Sequence, residues 1–311
     1  MASPDRSTRT VSSAHHRRVN PTTESRLVEH VDRVADQHPP IDLAGVDYTI
    51  ADPVQLAQRF GPALTYMARV ELEVERNVLE LNQLLPEPPE IDRRFYTDVW
   101  LPQETRHGVI LDHLQVLLGF PRSTPDIRSV SFRLKLLGHL GKRAAIQDIS
   151  RMLYYLTGMA TERSAVLAYN ALHDGLLNLG EQAAASTIIA PIRRQEPGHF
   201  AYYQIAAGGL WAQLMPWQQW LVRRLRTRTF APVGAGTAEQ QADFGSVMRS
   251  LDVSIGDQEL RSFARQIAKV ESELLWATHQ GLDAPAYVIN ALRRAKEASL
   301  TRLHCDSRAA E

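Results

Sequence analysis

Two short stretches of this chain carry residue types suited to metal chemistry: Gln103-Glu104-Thr105-Arg106-His107 and Gln195-Glu196-Pro197-Gly198-His199. Each contains a Glu-x-x-His within a run that reads as helix. At that spacing a carboxylate and an imidazole leave the same helix face. Each pair can therefore offer one ion an oxygen and a nitrogen ligand. A single pair says little, because Glu and His are common on helix surfaces. Two pairs gain meaning when carboxylates stand ready on two other helices.

Such carboxylates are present. In the run from Leu64 to Leu85, residues Met67, Val70, Val74, Val78, Leu81 and Leu85 form one apolar stripe at helical spacing. Glu71 falls inside the stripe, Glu73 points to the opposite side, and Glu75 sits at its edge as the alternative to Glu71. Glu162 has small or apolar neighbours for a full turn on either side. A carboxylate buried without a partner costs several kcal/mol, so it protonates, pairs or binds metal. The order becomes Glu71, Glu104-x-x-His107, Glu162, Glu196-x-x-His199. A dinuclear carboxylate site in a four-helix bundle uses this set, one Glu from each of two helices and Glu-x-x-His from the other two. Glu71 and Glu104 are 33 residues apart, Glu162 and Glu196 are 34 apart, and 58 residues separate Glu104 from Glu162. The two short separations suit helix hairpins and the long one suits a crossover connection. Four carboxylates and two imidazoles favour two Fe ions, or Mn in their place.

The same segments resemble the soluble acyl-acyl-carrier-protein desaturases of the ferritin-like di-iron superfamily. Trp100-Leu101-Pro102-Gln103-Glu104-Thr105-Arg106-His107-Gly108 is similar to that family's Trp-x-x-Glu-Glu-Asn-Arg-His-Gly. Thr161-Glu162-Arg163-Ser164-Ala165 is similar to its Gln-Glu-Arg-Ala-Thr. Thr187-Ile188-Ile189-Ala190 and the segment Gln195 to Tyr202 are similar to its stretch running through Asp-Glu-Lys-Arg-His-Glu-Thr-Ala-Tyr. The resemblance covers roughly residues 55 to 225. It implies an all-α, ferritin-like four-helix core with flanking helices, and an O2-dependent oxidase that removes hydrogen from an acyl chain. It further implies an acyl carrier protein as substrate carrier, a ferredoxin-type electron donor and a homodimer.

Departures from the family pattern are specific. An acid usually precedes each Glu-x-x-His glutamate, and here Gln103 and Gln195 stand there; they can orient a metal-bound His without adding charge. The family's Thr three residues after the third Glu is Ala165, leaving Thr161 and Ser164 as the nearest hydroxyls for proton delivery. Pro197 removes a helical hydrogen bond inside the second pair. The cluster Arg223, Arg224, Arg226 and Arg228 is the candidate face for the acidic carrier. Its plain alternative is a solvated basic helix end. Trp211, Trp217 and Trp220 are expected to fill a core or a dimer contact.

The remaining chain frames this site. Hydrophobic residues make up 44% and charged residues 23%, ordinary for a globular protein, and the formal charge of +0 argues against a nucleic-acid binder. Cys305 is the single cysteine, so neither a disulfide nor a Cys-based metal site can form within one chain. No apolar run reaches the roughly 18 residues of a membrane span, and the expected location is cytoplasmic. Residues 1–24 are expected to be a disordered tail, 25–304 the metal-binding domain, and 305–311 a flexible end. Helices are expected near 26–37, 55–85, 94–118, 126–140, 145–178, 182–213, 216–229, 257–279 and 284–303, with a loop at 231–239. Two further readings share the ligand set. One is a di-iron hydroxylase or N-oxygenase, although Ile192 stands where an extra His would favour N-oxygenation. The other is a ferritin-like metal-binding protein with no organic substrate.

Overall fold

A computed structural model describes residues 21–84, 88–125, 144–253, 256–277 and 283–309. The fold is all-α, with no strand among the described residues. In chain order the helices are α1 (Pro21–Gln37), α2 (Pro53–Leu72), α3 (Val74–Leu84), α4 (Glu90–Arg94), α5 (Leu101–Leu117), α6 (Ala144–Leu179), α7 (Ala190–Trp211), α8 (Pro216–Thr229), α9 (Ala238–Ser250), α10 (Asp257–Trp276) and α11 (Ala286–Ala309). Wider π-type turns at Phe95–Trp100 and Ala184–Ile189 lead into α5 and α7. Such turns recur beside functional sites.

Helices α2, α5, α6 and α7 form the centre, and their directions follow from which residues meet. Gly61 faces Phe120 while Gly108 faces Leu72, so α2 and α5 are antiparallel. Tyr155 bonds to Asp92 and Trp100 to Glu162, at nearly equal offsets of 63 and 62 residues, so the α4–α5 arm runs parallel to α6. His107 meets Gln195 while Gln103 meets His199, which makes α5 and α7 antiparallel. The result is an up-down-down-up bundle with one crossover, between α5 and α6. Close approach needs small residues: a Cβ at Gly108 would strike Leu72, and one at Gly158 the ring of Tyr203.

Two apolar cores sit at opposite ends of this bundle. One contains Leu56, Phe60 and Leu64 of α2, Ile110 and Leu114 of α5, Leu172 and Leu176 of α6, and Ile188 to Ile192. The other contains Phe95, Trp100, Met152, Leu156, Tyr202 and Tyr203. Along the chain the predicted ligands fall where the two cores meet: Glu71 between Ala68 and Val74, Glu104 and His107 between Trp100 and Ile110, Glu162 between Met159 and Tyr169, and Glu196 and His199 between Ile192 and Tyr202. Helix α9 packs against α2, α11 packs against α9, and α10 packs against α6; together they extend the first core.

Several expectations change. Helix α1 begins at Pro21, so residues 21–24 belong to it and not to a tail; Pro suits a first helical turn, where its missing N–H costs nothing. Helix α11 runs to Ala309, through the expected flexible end, because no Gly or Pro interrupts it. The run 55–85 breaks at Glu73, whose N–H bonds back to Arg69 and Val70. Helix α9 was not expected, although Thr237 and Gln240 form a capping box at its start. The expected helix at 126–140 lies outside the described residues, as do residues 1–20.

The basic cluster on α8 divides by helix face. Arg224 and Arg228 are exposed. Arg223 is half-buried, donates to the Leu275 carbonyl at 2.8 Å and lies over the ring of Trp211. Arg226 is 2% exposed and faces inward, one turn after buried Val222. Its guanidinium grips Glu271 through two bonds of 2.9 and 2.8 Å and also donates to Thr157 and the Leu156 carbonyl. Arg226 is therefore a structural tie and not a docking residue. Trp217 and Trp220 are 47% and 61% exposed, so neither fills the core of the chain. Replacing Arg226 with Met strands the Glu271 charge and should cost about 3–5 kcal/mol. Adding Glu271→Leu should recover most of that loss, as read from urea unfolding of the single and double variants.

Candidate metal centre

Six side chains from four helices converge between the two cores. Glu71 comes from α2, Glu104 and His107 from α5, Glu162 from α6, and Glu196 and His199 from α7. All six are buried, and His107 and His199 are fully so. Their ligand atoms form two groups, each within 4.8 Å: Glu71, Glu104, His107 and Glu196, then Glu104, Glu162, Glu196 and His199. Glu104 and Glu196 belong to both groups. Nδ1 of His107 is 3.1 Å from Oε2 of Glu104 and 3.3 Å from Oε1 of Glu196. Nδ1 of His199 is 2.9 Å from Oε1 of Glu104 and 3.8 Å from Oε2 of Glu196. Each shared carboxylate thus turns one oxygen towards each imidazole, the arrangement two neighbouring ions would share.

The other two carboxylates are each held at one oxygen by an aromatic donor. Tyr169 O–H donates to Oε1 of Glu71 at 2.6 Å, and Trp100 Nε1–H donates to Oε1 of Glu162 at 3.1 Å. The imidazoles are held from outside by the glutamines, each reaching across to the other helix. Nε2 of His107 bonds Oε1 of Gln195 at 2.6 Å, and Nε2 of His199 bonds Oε1 of Gln103 at 2.7 Å. Neither Tyr169 nor Trp100 was picked out as a supporting residue. Tyr169 lies seven residues after Glu162, two turns on along one face, which is the signal that identifies it.

Glu75 is exposed and away from the cluster, so Glu71 occupies the first-helix position. Glu73 is buried but spent on Arg69 and Arg76, at 3.0 and 2.7 Å. Ser164 donates back to the Ala160 carbonyl at 2.8 Å, and Thr161 is half-buried. Both line a cavity of about 90 Å³ that touches the cluster at Glu71, Glu104, Glu162 and Glu196. Apart from Asn77 and Tyr66, its other walls are largely apolar, among them Met67 and Val70 of α2, Ala165 and Ala168 of α6, and Phe244, Met248 and Phe263 of α9 and α10.

No family model, no curated protein and no solved structure matches this chain. The reading of the centre therefore rests on its own residues.

Burial dominates the electrostatics. It pushes the Glu71 carboxyl well above its usual range, with repulsion from Glu104 adding to the effect. It pushes Glu162 up to about 8, against the hydrogen bond to His199. Burial also opposes charge on His107, but bonds to Glu104 and Glu196 outweigh it and lift that imidazole to about 9. Glu104 goes the other way: burial would raise it, yet the His199 charge and bonds from Glu71 and His107 hold it well below the carboxylate range. The set fits metal. Both oxygens of Glu196 and Nδ1 of His199 are buried with only long or poorly aligned contacts to one another and to the neighbouring ligands, a costly state that ligation would relieve.

Metal uptake must displace protons from these groups, so it should release protons at pH 7, and apparent affinity should rise with pH. Calorimetric titration in two buffers of different ionisation enthalpy measures the release; none would contradict the assignment. For the metal-free protein, the folded values of about 8 for Glu162 and about 9 for His107 lie above the unfolded 4.5 and 6.5. The fold then binds more protons than the unfolded chain. Stability should fall as pH rises towards 9, and thermal melts at pH 7 and 9 check the direction.

Proposed function

We propose that this chain is a ferritin-like dinuclear-metal oxidase that takes hydrogen from an apolar organic substrate. The observation carrying the proposal is the join between a four-Glu, two-His cluster and a cavity walled by apolar side chains. A protein that only stores metal has no use for such a cavity.

Two Fe ions, or Mn in their place, would be held by Glu71, Glu104, His107, Glu162, Glu196 and His199. When bound, and given two electrons from a ferredoxin-type donor, they supply the oxidation of an unactivated C–H bond by O2. The protein's residues do the rest. Glu104 and Glu196, which belong to both ligand groups, would be available to both ions, and Tyr169 and Trp100 orient Glu71 and Glu162. Met67, Val70, Ala165 and Ala168 exclude water and align the substrate beside the cluster. The Thr161 Oγ1 and Ser164 Oγ hydroxyls stand on the cavity wall within the helix that carries Glu162, where either can pass a proton.

The substrate class that suits this wall is a fatty acyl chain, and the resemblance in residues 100–108, 161–165 and 187–202 supports delivery by an acyl carrier protein. Arg224 and Arg228 remain for an acidic carrier; Arg223 contributes only its exposed edge. Desaturation is the favoured reaction, and the same geometry admits hydroxylation.

Iron-loaded protein supplied with reductant, O2 and acyl chains on a carrier protein should yield products 2 mass units lighter than substrate; a gain of 16 would assign hydroxylation. Unchanged substrate across chain lengths would contradict the reading. Ala165→Phe fills the cavity beside Glu162 and should abolish turnover while metal content, read by atomic emission, stays at two per chain.

A further inference from the structure

The two glutamines that replace acids make a second set of bonds on their far side. The Gln103 amide nitrogen donates to the His38 carbonyl at 2.6 Å. That of Gln195 donates to the Pro39 carbonyl at 2.7 Å and lies 3.4 Å from the His38 carbonyl. Both glutamines are buried, while Pro39 and Pro40 are exposed. The turn after α1 is thus a strap, one backbone thick, between solvent and the histidine side of the centre.

Its carbonyls fix the proton map. A carbonyl only accepts, so each glutamine must turn its NH2 towards the strap and its oxygen towards the imidazole. That oxygen needs a donor, so Nε2 of His107 and of His199 each carry a proton. Nδ1 is then the nitrogen left to ligate, and it is the one aimed into the carboxylates. A carboxylate in place of either glutamine would serve the imidazole equally well but would have no hydrogen for the strap.

Helix α1 seats the strap on the second Glu-x-x-His. Arg33 donates to Nδ1 of His30 at 2.9 Å, so the His30 Nε2–H faces the Gly198 carbonyl, 2.8 Å away. Val34 packs on Gly198, which lacks the side chain that would hold it off.

We propose that Gln103 and Gln195 are positioning residues that couple the His38–Pro39 strap to metal ligation, each needing to be a neutral amide and not an acid. This rests on the dinuclear reading. Metal binding and strap docking should then reinforce one another, since linkage is reciprocal.

Full-length wild type, Gln103→Glu and Gln195→Glu would be titrated with Mn(II), the free ion being counted by its paramagnetic resonance. In parallel, amide exchange over residues 34–42 would be followed by mass spectrometry. The added negative charge should by itself tighten Mn(II). The coupling predicts the reverse: binding weaker by roughly 10–100-fold and faster strap exchange in each variant. Equal or tighter binding with unchanged exchange overturns the proposal. Should a variant fail to fold, the wild type alone decides: Mn(II) must slow exchange at 38–42, and no change refutes the coupling. If the wild type binds no Mn(II), the dinuclear reading fails, and metal-free strap exchange in the Glu variants still shows whether the amides hold the strap.

Discussion

Four carboxylates and two imidazoles sealed between two apolar cores form the constraint on which everything else depends. Charges in such a place are tolerated only when paired, protonated or ligated. Without an ion the cluster solves this by holding protons: Glu71 and Glu162 are driven up, His107 and His199 are drawn up, and Glu104 is left ionised. Even so, neither Glu196 oxygen has a well-aligned donor. A poorly matched oxygen in a bundle that could have used Leu or Met there is a standing cost, and a metal ion would remove it.

The supporting architecture answers to the same constraint. The up-down-down-up course brings Glu71, Glu104, Glu162 and Glu196 to one level although they come from four helices. Each ligand is then fixed from behind. Aromatic donors hold the outer carboxylates, glutamines hold the imidazoles, and backbone carbonyls of the α1 strap hold the glutamines. The cavity opens on the opposite side, against α9 and α10. The centre therefore has a closed, polar, hydrogen-bonded back and a largely apolar front, the asymmetry on which the proposed oxidation of an apolar substrate rests.

What was legible in the sequence follows from periodicity. Glu-x-x-His and the apolar stripe around Glu71 are helical spacings, and spacing along one helix survives without knowledge of the neighbours. Most of the described helices were legible for the same reason, α9 being an exception. Direction was harder where two faces compete. Arg226 differs from Arg224 and Arg228 by facing the same side as Val222, a pattern obscured by four arginines in six residues. Trp217 and Trp220 were read from residue type, which does not say what covers them. The strap was not legible at all: His38 and Pro39 act through carbonyls, which every residue has, on partners 65 and 156 residues away. Helix α9 carried a capping-box signal at Thr237 that the preceding Gly-rich loop concealed.

The central claim is that two ions sit side by side, sharing Glu104 and Glu196. X-ray absorption of the iron-loaded protein tests it most directly, because it reports both ligand type and the nearest heavy neighbour. The account predicts mixed oxygen and nitrogen ligation with a second iron about 3.5–4 Å away. Iron with no short metal–metal vector, or protein that retains no iron, would contradict it.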